Sequence, residues 1–294
     1  MLLRHSDANI EARDSGGDTA LTLATYFAKP DAMRLLLNSG ASVDARENDG
    51  NSPLHFAAQK DSPELVRCLV DHNADLEARN SSQQTPLLVA FEEGNIRIVR
   101  LLEELHADLR AVDVYGNSVL NAAVRSANKL MVQFCLSRRH DTEAMTVWGQ
   151  TPLSKAAENG YHEIVALLLD HGADLETDSA RFKSEEQWRP LHYAAHGGHE
   201  AVVEILLKRG ANPTAEDMYG RRAQYYAEDQ GHDSLAAVIS DSVPISKKTL
   251  QLLNSQEVNG LVDWSRKGHV DLVKKLLKQG VNVNSVRNKG AKVE

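Results

Sequence analysis

WGQTPLSKAAENGYHEIVALLLDHGADLET, residues 148–177, decides the architecture. Thr151 offers a hydroxyl to an unpaired N–H at a helix start, and Pro152 supplies the fixed φ that suits the first helical position. Leu153, Ala156 and Ala157 then make a narrow face of mostly small apolar side chains, against which another backbone can pack closely. Gly160 suits the left-handed conformation that closes the helix. A second helix is expected over 163–171, with Ile164, Val165, Leu167, Leu168 and Leu169 around most of its circumference. Such a helix must be covered on more than one side. Gly172 closes it. The unit offers apolar surface in two opposite directions and needs a neighbour on each.

The neighbours are in the sequence. Gly17, Gly50, Gln83, Gly116 and Gly149 hold one position at 33-residue spacing, followed by Gln187 after 38 and Gly220 after 33. After that position come DTALTLA (18–24), NSPLHFA (51–57), QTPLLVA (84–90), NSVLNAA (117–123), QTPLSKA (150–156), WRPLHYA (188–194) and RRAQYYA (221–227). This period and its T-P-L-H-x-A core resemble the ankyrin repeat family, over nearly the whole chain. The resemblance implies an all-α fold: a solenoid of stacked helix-turn-helix units joined by short β-hairpin fingers.

The composition suits thin stacked layers, with Leu and Ala at the core positions and few aromatics. A net charge of −8 argues against a nucleic-acid partner, since that role leans on Lys and Arg neutralising phosphates. No apolar run approaches the roughly 18 residues of a membrane span, so no membrane partner is expected, and no secretory signal pattern is visible. Cys68 and Cys135 fall on second-helix core positions two repeats apart, too distant for a disulfide when helices pack about 8–10 Å apart. Buried free thiols suit a reducing, intracellular setting, cytoplasmic or nuclear.

In chain order, residues 1–13 read as a partial repeat, because 2–8 align with 35–41 and fall inside a second helix. We expect a longer parent protein on that ground. Repeats follow at 14–46, 47–79, 80–112, 113–145, 146–177, 178–215 and 216–240. Asn73, His106 and Arg139 stand where a closing glycine is expected, and the fourth repeat carries Val119 for proline and Ala127 for glycine. Five extra residues fall within 179–187, where a finger should be. The period fails over 241–255, an irregular junction helix, and a degenerate, cut-off repeat restarts over 256–294. Asn284 there resembles ankyrin asparagines that asparaginyl hydroxylases modify.

No catalytic constellation emerges. His192 and His196 have the i, i+4 spacing of metal ligands, with His199 beyond. However, His192, like His55, matches the family's own structural histidine, and Gly198-His199 matches its turn. No metal, cofactor or catalytic residue is therefore expected, and function falls to the surface. The resemblance implies that the concave face, made of finger tips and first-helix ends, holds a protein or peptide ligand. The matching positions on the helix ends are Lys60, Glu92, Glu93, Arg125, Glu158, Asn159, His196, Asp229 and Gln230. On the fingers, Tyr115, Trp148, Trp188, Tyr219 and Arg221 suggest an aromatic row, since Trp, Tyr and Arg are the residues most enriched among binding hot spots. Few interface residues carry the energy, so most of these positions are expected to be solvated polar surface. The leading expectation is a monomeric, non-enzymatic scaffold or adaptor. The alternative is the regulatory portion of a larger enzyme, ligase complex or channel.

If 241–255 is a junction, residues 256–294 exchange amide hydrogens separately from 14–240. Hydrogen-exchange mass spectrometry reads this, and uniform protection across residue 245 would mean one continuous stack.

Overall fold

The structure is a computed structural model that describes residues 9–178 and 187–244. Most of the partial first repeat, most of the 179–187 insertion, the junction at 245–255, the restarted repeat and Asn284 lie outside the described residues.

The described chain is a succession of helix pairs. These are α1 (Ala20–Tyr26) with α2 (Pro30–Asn38), α3 (Pro53–Gln59) with α4 (Pro63–Asp71), and α5 (Pro86–Glu92) with α6 (Ile96–Glu104). Then come α7 (Val119–Arg125) with α8 (Lys129–Ser137), α9 (Pro152–Glu158) with α10 (His162–Asp170), α11 (Pro190–His196) with α12 (Glu200–Lys208), and α13 (Ala223–Asp229) with α14 (Asp233–Ser242). The α10 helix begins and ends one residue earlier than the hydrophobic pattern suggests. Each first helix packs on its own second helix and on the first helix of the next repeat, and successive second helices pack on one another everywhere except between α6 and α8, where contact is weaker. One hydrophobic core runs the length of the described array.

Local chemistry sets the helix starts. The Thr151 hydroxyl accepts the Ser154 N–H at 3.1 Å, with Pro152 next in line. Thr19 and Thr85 do the same for Thr22 and Leu88, both at 3.3 Å. In the second repeat the cap is reinforced by a histidine. Nδ1 of His55 accepts the Ser52 N–H at 3.1 Å, and its Nε2 lies 2.9 Å from the Gln84 carbonyl of the next repeat. Asn121 substitutes for this histidine in the fourth repeat, accepting from Ser118 and donating to the Ala144 carbonyl at 3.3 Å. His192 keeps half of the arrangement, accepting the Arg189 N–H at 3.2 Å. Its Nε2 has no partner within hydrogen-bond distance, although the Arg221 carbonyl lies beside it.

The alanines decide how closely the layers approach. Ala57, Ala90, Ala123, Ala156, Ala194 and Ala227 are fully buried between first helices. Both cysteines are free and buried, and burial pushes the Cys135 thiol up to about 12. Helix ends close where expected: Gly160 and Gly172 have φ of 75° and 87°. The same conformation is forced on Asn73 (63°), His106 (69°), Ala127 (54°) and Arg139 (58°).

The fingers differ from expectation. No strand forms among the described residues, only an isolated bridge between Glu216 and Arg222. Within each described finger the backbone makes a tight turn, such as Thr146 N–H to the Gln150 carbonyl at 3.1 Å and Gly149 N–H to the Thr146 carbonyl at 2.9 Å, and then ends. A side-chain oxygen takes two further N–H groups of the turn, such as those of Trp148 and Gln150 on Thr146, so no ladder is left to extend.

Two consequences can be measured. Arg139 carries the strain of a non-glycine at positive φ, so Arg139→Gly stabilises by a few tenths to about 1 kcal/mol in denaturant unfolding; a lower midpoint would contradict this. The second concerns pH. Burial above all lowers His55 and His192 from 6.5 to about 4. Both are therefore neutral in the fold, whereas the unfolded chain gains protons below about 6.5. Stability from this source is full above that pH and is lost as pH falls towards 4, by at most about 3 kcal/mol apiece. His55→Asn, which copies the fourth repeat, should remove about one proton from the uptake on unfolding near pH 5. An unchanged pH slope would show that folding does not select the neutral ring.

Candidate functional site

The fingers are built around a side-chain acceptor three residues before the glycine position. Asp14, Glu47, Asn80, Asp113, Thr146 and Asp217 each accept N–H groups two and four residues on, at 2.7–3.3 Å. The chain thus turns without help from its two tip residues. Successive fingers are tied by single backbone bonds: Asn48 N–H to Gly16 O, Ser81 to Asp49, Val114 to Ser82, and Val147 to Tyr115, at 2.8–3.0 Å. These bonds set the tips in register along one edge of the solenoid.

With the backbone fixed, the tips change character along the array. They read Ser15-Gly16, Asn48-Asp49 and Ser81-Ser82 in the first three repeats, then Val114-Tyr115, Val147-Trp148 and, in the seventh, Met218-Tyr219. All six of the later side chains are exposed. Tyr115 and Trp148 stack with ring centroids 5.2 Å apart at 21°, and Trp148 is still 51% exposed. Beneath the pair is a recess of about 260 Å³ whose wall includes Asn117, Asn121, Arg125, Gln150 and Lys155.

The ends of the first helices carry a series of paired charges. Arg125 bridges back to Glu92 at 2.9 Å, and Glu92 also accepts from Gln84 at 2.7 Å. Two repeats on, Glu158 accepts from Gln150 at 3.0 Å and from Lys155 at 2.8 Å. Glu93 accepts from Gln59 at 3.3 Å, and Lys60 sits 4.2 Å over the Tyr26 ring. Asn159 caps α9 and is exposed, while Asp229 is engaged only by its neighbour Gln230, at 2.9 Å. As exposed or half-exposed ion pairs, these contribute roughly 0–1 kcal/mol each to stability.

The sixth and seventh repeats correct the aromatic row. Trp188 does not stand at a tip: it is 8% exposed and packs against Tyr193, His196 and Tyr226. Its Nε1 donates to the Tyr226 hydroxyl at 3.1 Å, and that hydroxyl donates to Asp217. Burial works against the Asp217 carboxylate. The hydrogen bonds from the Tyr226 hydroxyl and the Arg221 and Tyr219 N–H groups outweigh it and hold the carboxyl below the usual range. Arg221 pairs with Asp217 at 3.0 Å and lies 4.4 Å from the Tyr219 ring centroid and 4.9 Å from that of Tyr226. Trp188 takes the position held by Gln84 and Gln150 elsewhere, immediately after the glycine site. Gln84 and Gln150 there reach the first-helix ends of their own repeats, at Glu92 and Glu158, and Trp188 reaches Tyr226 of the next repeat. Trp188 is therefore a packing residue, whereas His196 lies against it and is itself exposed; Arg221 is paired with Asp217, and Tyr219 stays 55% exposed.

The three histidines of the eleventh helix and its turn have separate duties. His192 is buried at the cap, His196 lies on Trp188, and His199 Nε2 is 2.8 Å from the Glu158 carbonyl. Among the described residues no three His, Cys, Asp or Glu side chains are grouped to hold a metal, and no helix is long and apolar enough to cross a membrane. The aromatic reading of the tips missed Val114, Val147 and Met218. A column-by-column comparison of the two tip positions would have found them.

A family profile described as ankyrin repeats (3 copies) matches residues 1–80, 43–113, 120–217 and 177–249, and one described as ankyrin repeat matches 262–289. No curated protein sequence matches the chain. Among solved structures, the ankyrin repeat domain of Bcl-3, described as a unique member of the IkappaB protein family, is 29% identical with a TM-score of 0.59. The match covers 72% of this chain and 95% of that one. With period, capping chemistry, stacking and profile in agreement, the chain belongs to the ankyrin repeat family.

Proposed function

We propose that this protein is a non-catalytic scaffold or adaptor that seats a protein or peptide partner on the concave side, with the Tyr115–Trp148 pair as the anchor. Ankyrin arrays are in general protein-interaction modules. One observation carries the finer assignment: the tips switch from polar to apolar at the fourth repeat while the turn beneath them stays the same. Val114, Tyr115, Val147 and Trp148 make a connected exposed apolar patch, which on a protein surface marks a contact site. Arg125 and Lys155 below it, each tied to a carboxylate, supply the polar surroundings that orient a ligand. The partner segment accordingly presents an apolar or aromatic side chain to the tips and polar groups to the floor. The repeats act alone, as a monomer, in an intracellular setting.

The competing role for Trp148 is to brace Tyr115, since a stacked pair adds about 0.5–1.5 kcal/mol to stability. Affinity capture from the source cell, followed by titration of the recovered partner, separates the two roles. Trp148→Ala should weaken binding by about 2 kcal/mol or more, roughly thirtyfold, with little change in melting temperature. A lower melting temperature with affinity per folded molecule intact would make the pair a brace and end the proposal.

A further inference from the structure

Away from the groove, most seams between repeats are closed by a carboxylate on the loop after the second helix. Glu11, Asp44, Glu77, Glu143 and Glu176 accept the backbone N–H of Ser42, Asp75, Asp108, Asp174 and Asn212, at 2.7–3.1 Å. At the seam between the third and fourth repeats that position is Arg110. The N–H it would have served belongs to Asp141, 31 residues on as in the first four pairs, and it finds no acceptor among the described residues. A second tie lapses at the same place. Arg13, Arg46 and Arg79 each donate to the carbonyl 33 residues on, and the next residue in that column is Val112.

A cavity of about 470 Å³ opens there, walled by Leu109, Arg110, Arg138, Arg139, His140 and Asp141. Arg138 is held by Glu103 at 2.6 Å and lies on the Phe134 ring. Arg110 and Arg139 form no ion pair among the described residues, although the protein as a whole is acidic. The buried Nε2 of His140 has no hydrogen-bond partner. The one carboxylate on the wall, Asp141, accepts the Glu143 N–H of its own loop at 2.9 Å.

We propose that this cavity binds an oxyanion, the carboxylate or phosphate of an acidic peptide segment, in the place where the other seams keep a Glu or Asp of their own. The donors required are present: a free backbone N–H, two uncommitted guanidinium groups that match an oxyanion's geometry, and a ring nitrogen. The site lies apart from the Tyr115–Trp148 anchor and does not depend on that reading. It gives the array a second, charge-selective point of contact.

The test follows the Asp141 amide and the His140 ring by NMR while hexaglutamate, a phosphoserine-containing acidic peptide and inorganic phosphate are titrated separately. Saturable shifts with the peptides are expected. Arg110→Glu, which restores the built-in carboxylate, should weaken binding at least tenfold while raising the melting temperature. Arg139→Gly should also weaken binding while stabilising, so neither loss could be blamed on unfolding. Trp148→Ala, and Arg67→Glu at an exposed arginine of α4, should leave binding unchanged. No shift at either reporter with any probe, in protein shown to be folded, would overturn the proposal. Saturation by inorganic phosphate with no response to either peptide would overturn the peptide assignment in favour of the free ion.

Discussion

The structure depends on the alanines buried where first helices pack on one another. A methyl group at each of these positions lets consecutive layers come close enough for the leucines of both helices to interlock, and close packing is what makes such contacts cohesive. No layer owns a complete core. Each is finished by its neighbours, so stability is a sum of local terms plus the interfaces that couple them. A larger residue at Ala57, Ala90, Ala123, Ala156 or Ala194 would have to push apart a contact that is fully buried.

Polar groups then set the register that the apolar contacts leave loose. Carboxylates on the loops, arginines before the fingers, Asn95 and Asn128 in the inter-helix turns and single backbone bonds between fingers all reach one repeat along. Every one is modest, at about 1 kcal/mol or less. They repeat at fixed spacing, so each absence is visible as a gap in a column. Arg110 and Val112 stand out only because Glu77 and Arg79 show what their columns ordinarily hold.

Much of this was legible in the sequence. The 33-residue period, the Thr-Pro starts and the left-handed closures at Gly160 and Arg139 all depend on residues within one turn of chain, and local chemistry decides them. Trp188 was not legible, because its burial depends on Tyr226, 38 residues away and at a position without a fixed residue type. The fingers were read as hairpins, but the side-chain acceptors at Glu47 or Asp113 take the donors a strand would need. The tip patch was half legible: aromatic side chains drew the eye, while Val114 and Val147 looked like ordinary loop residues until their exposure was known.

The side-chain acceptor at the base of each finger has a consequence for how such a protein diversifies. Because Asp113 or Thr146 makes the turn, the two side chains at the tip are not needed to form it. The pairs Ser-Gly, Asn-Asp, Ser-Ser, Val-Tyr, Val-Trp and Met-Tyr all sit on the same backbone. Substitutions can therefore accumulate there without passing through a misfolded intermediate. Each described finger carries two nearly neutral letters on a frame that selection holds still, and a new partner can be acquired by changing those letters alone.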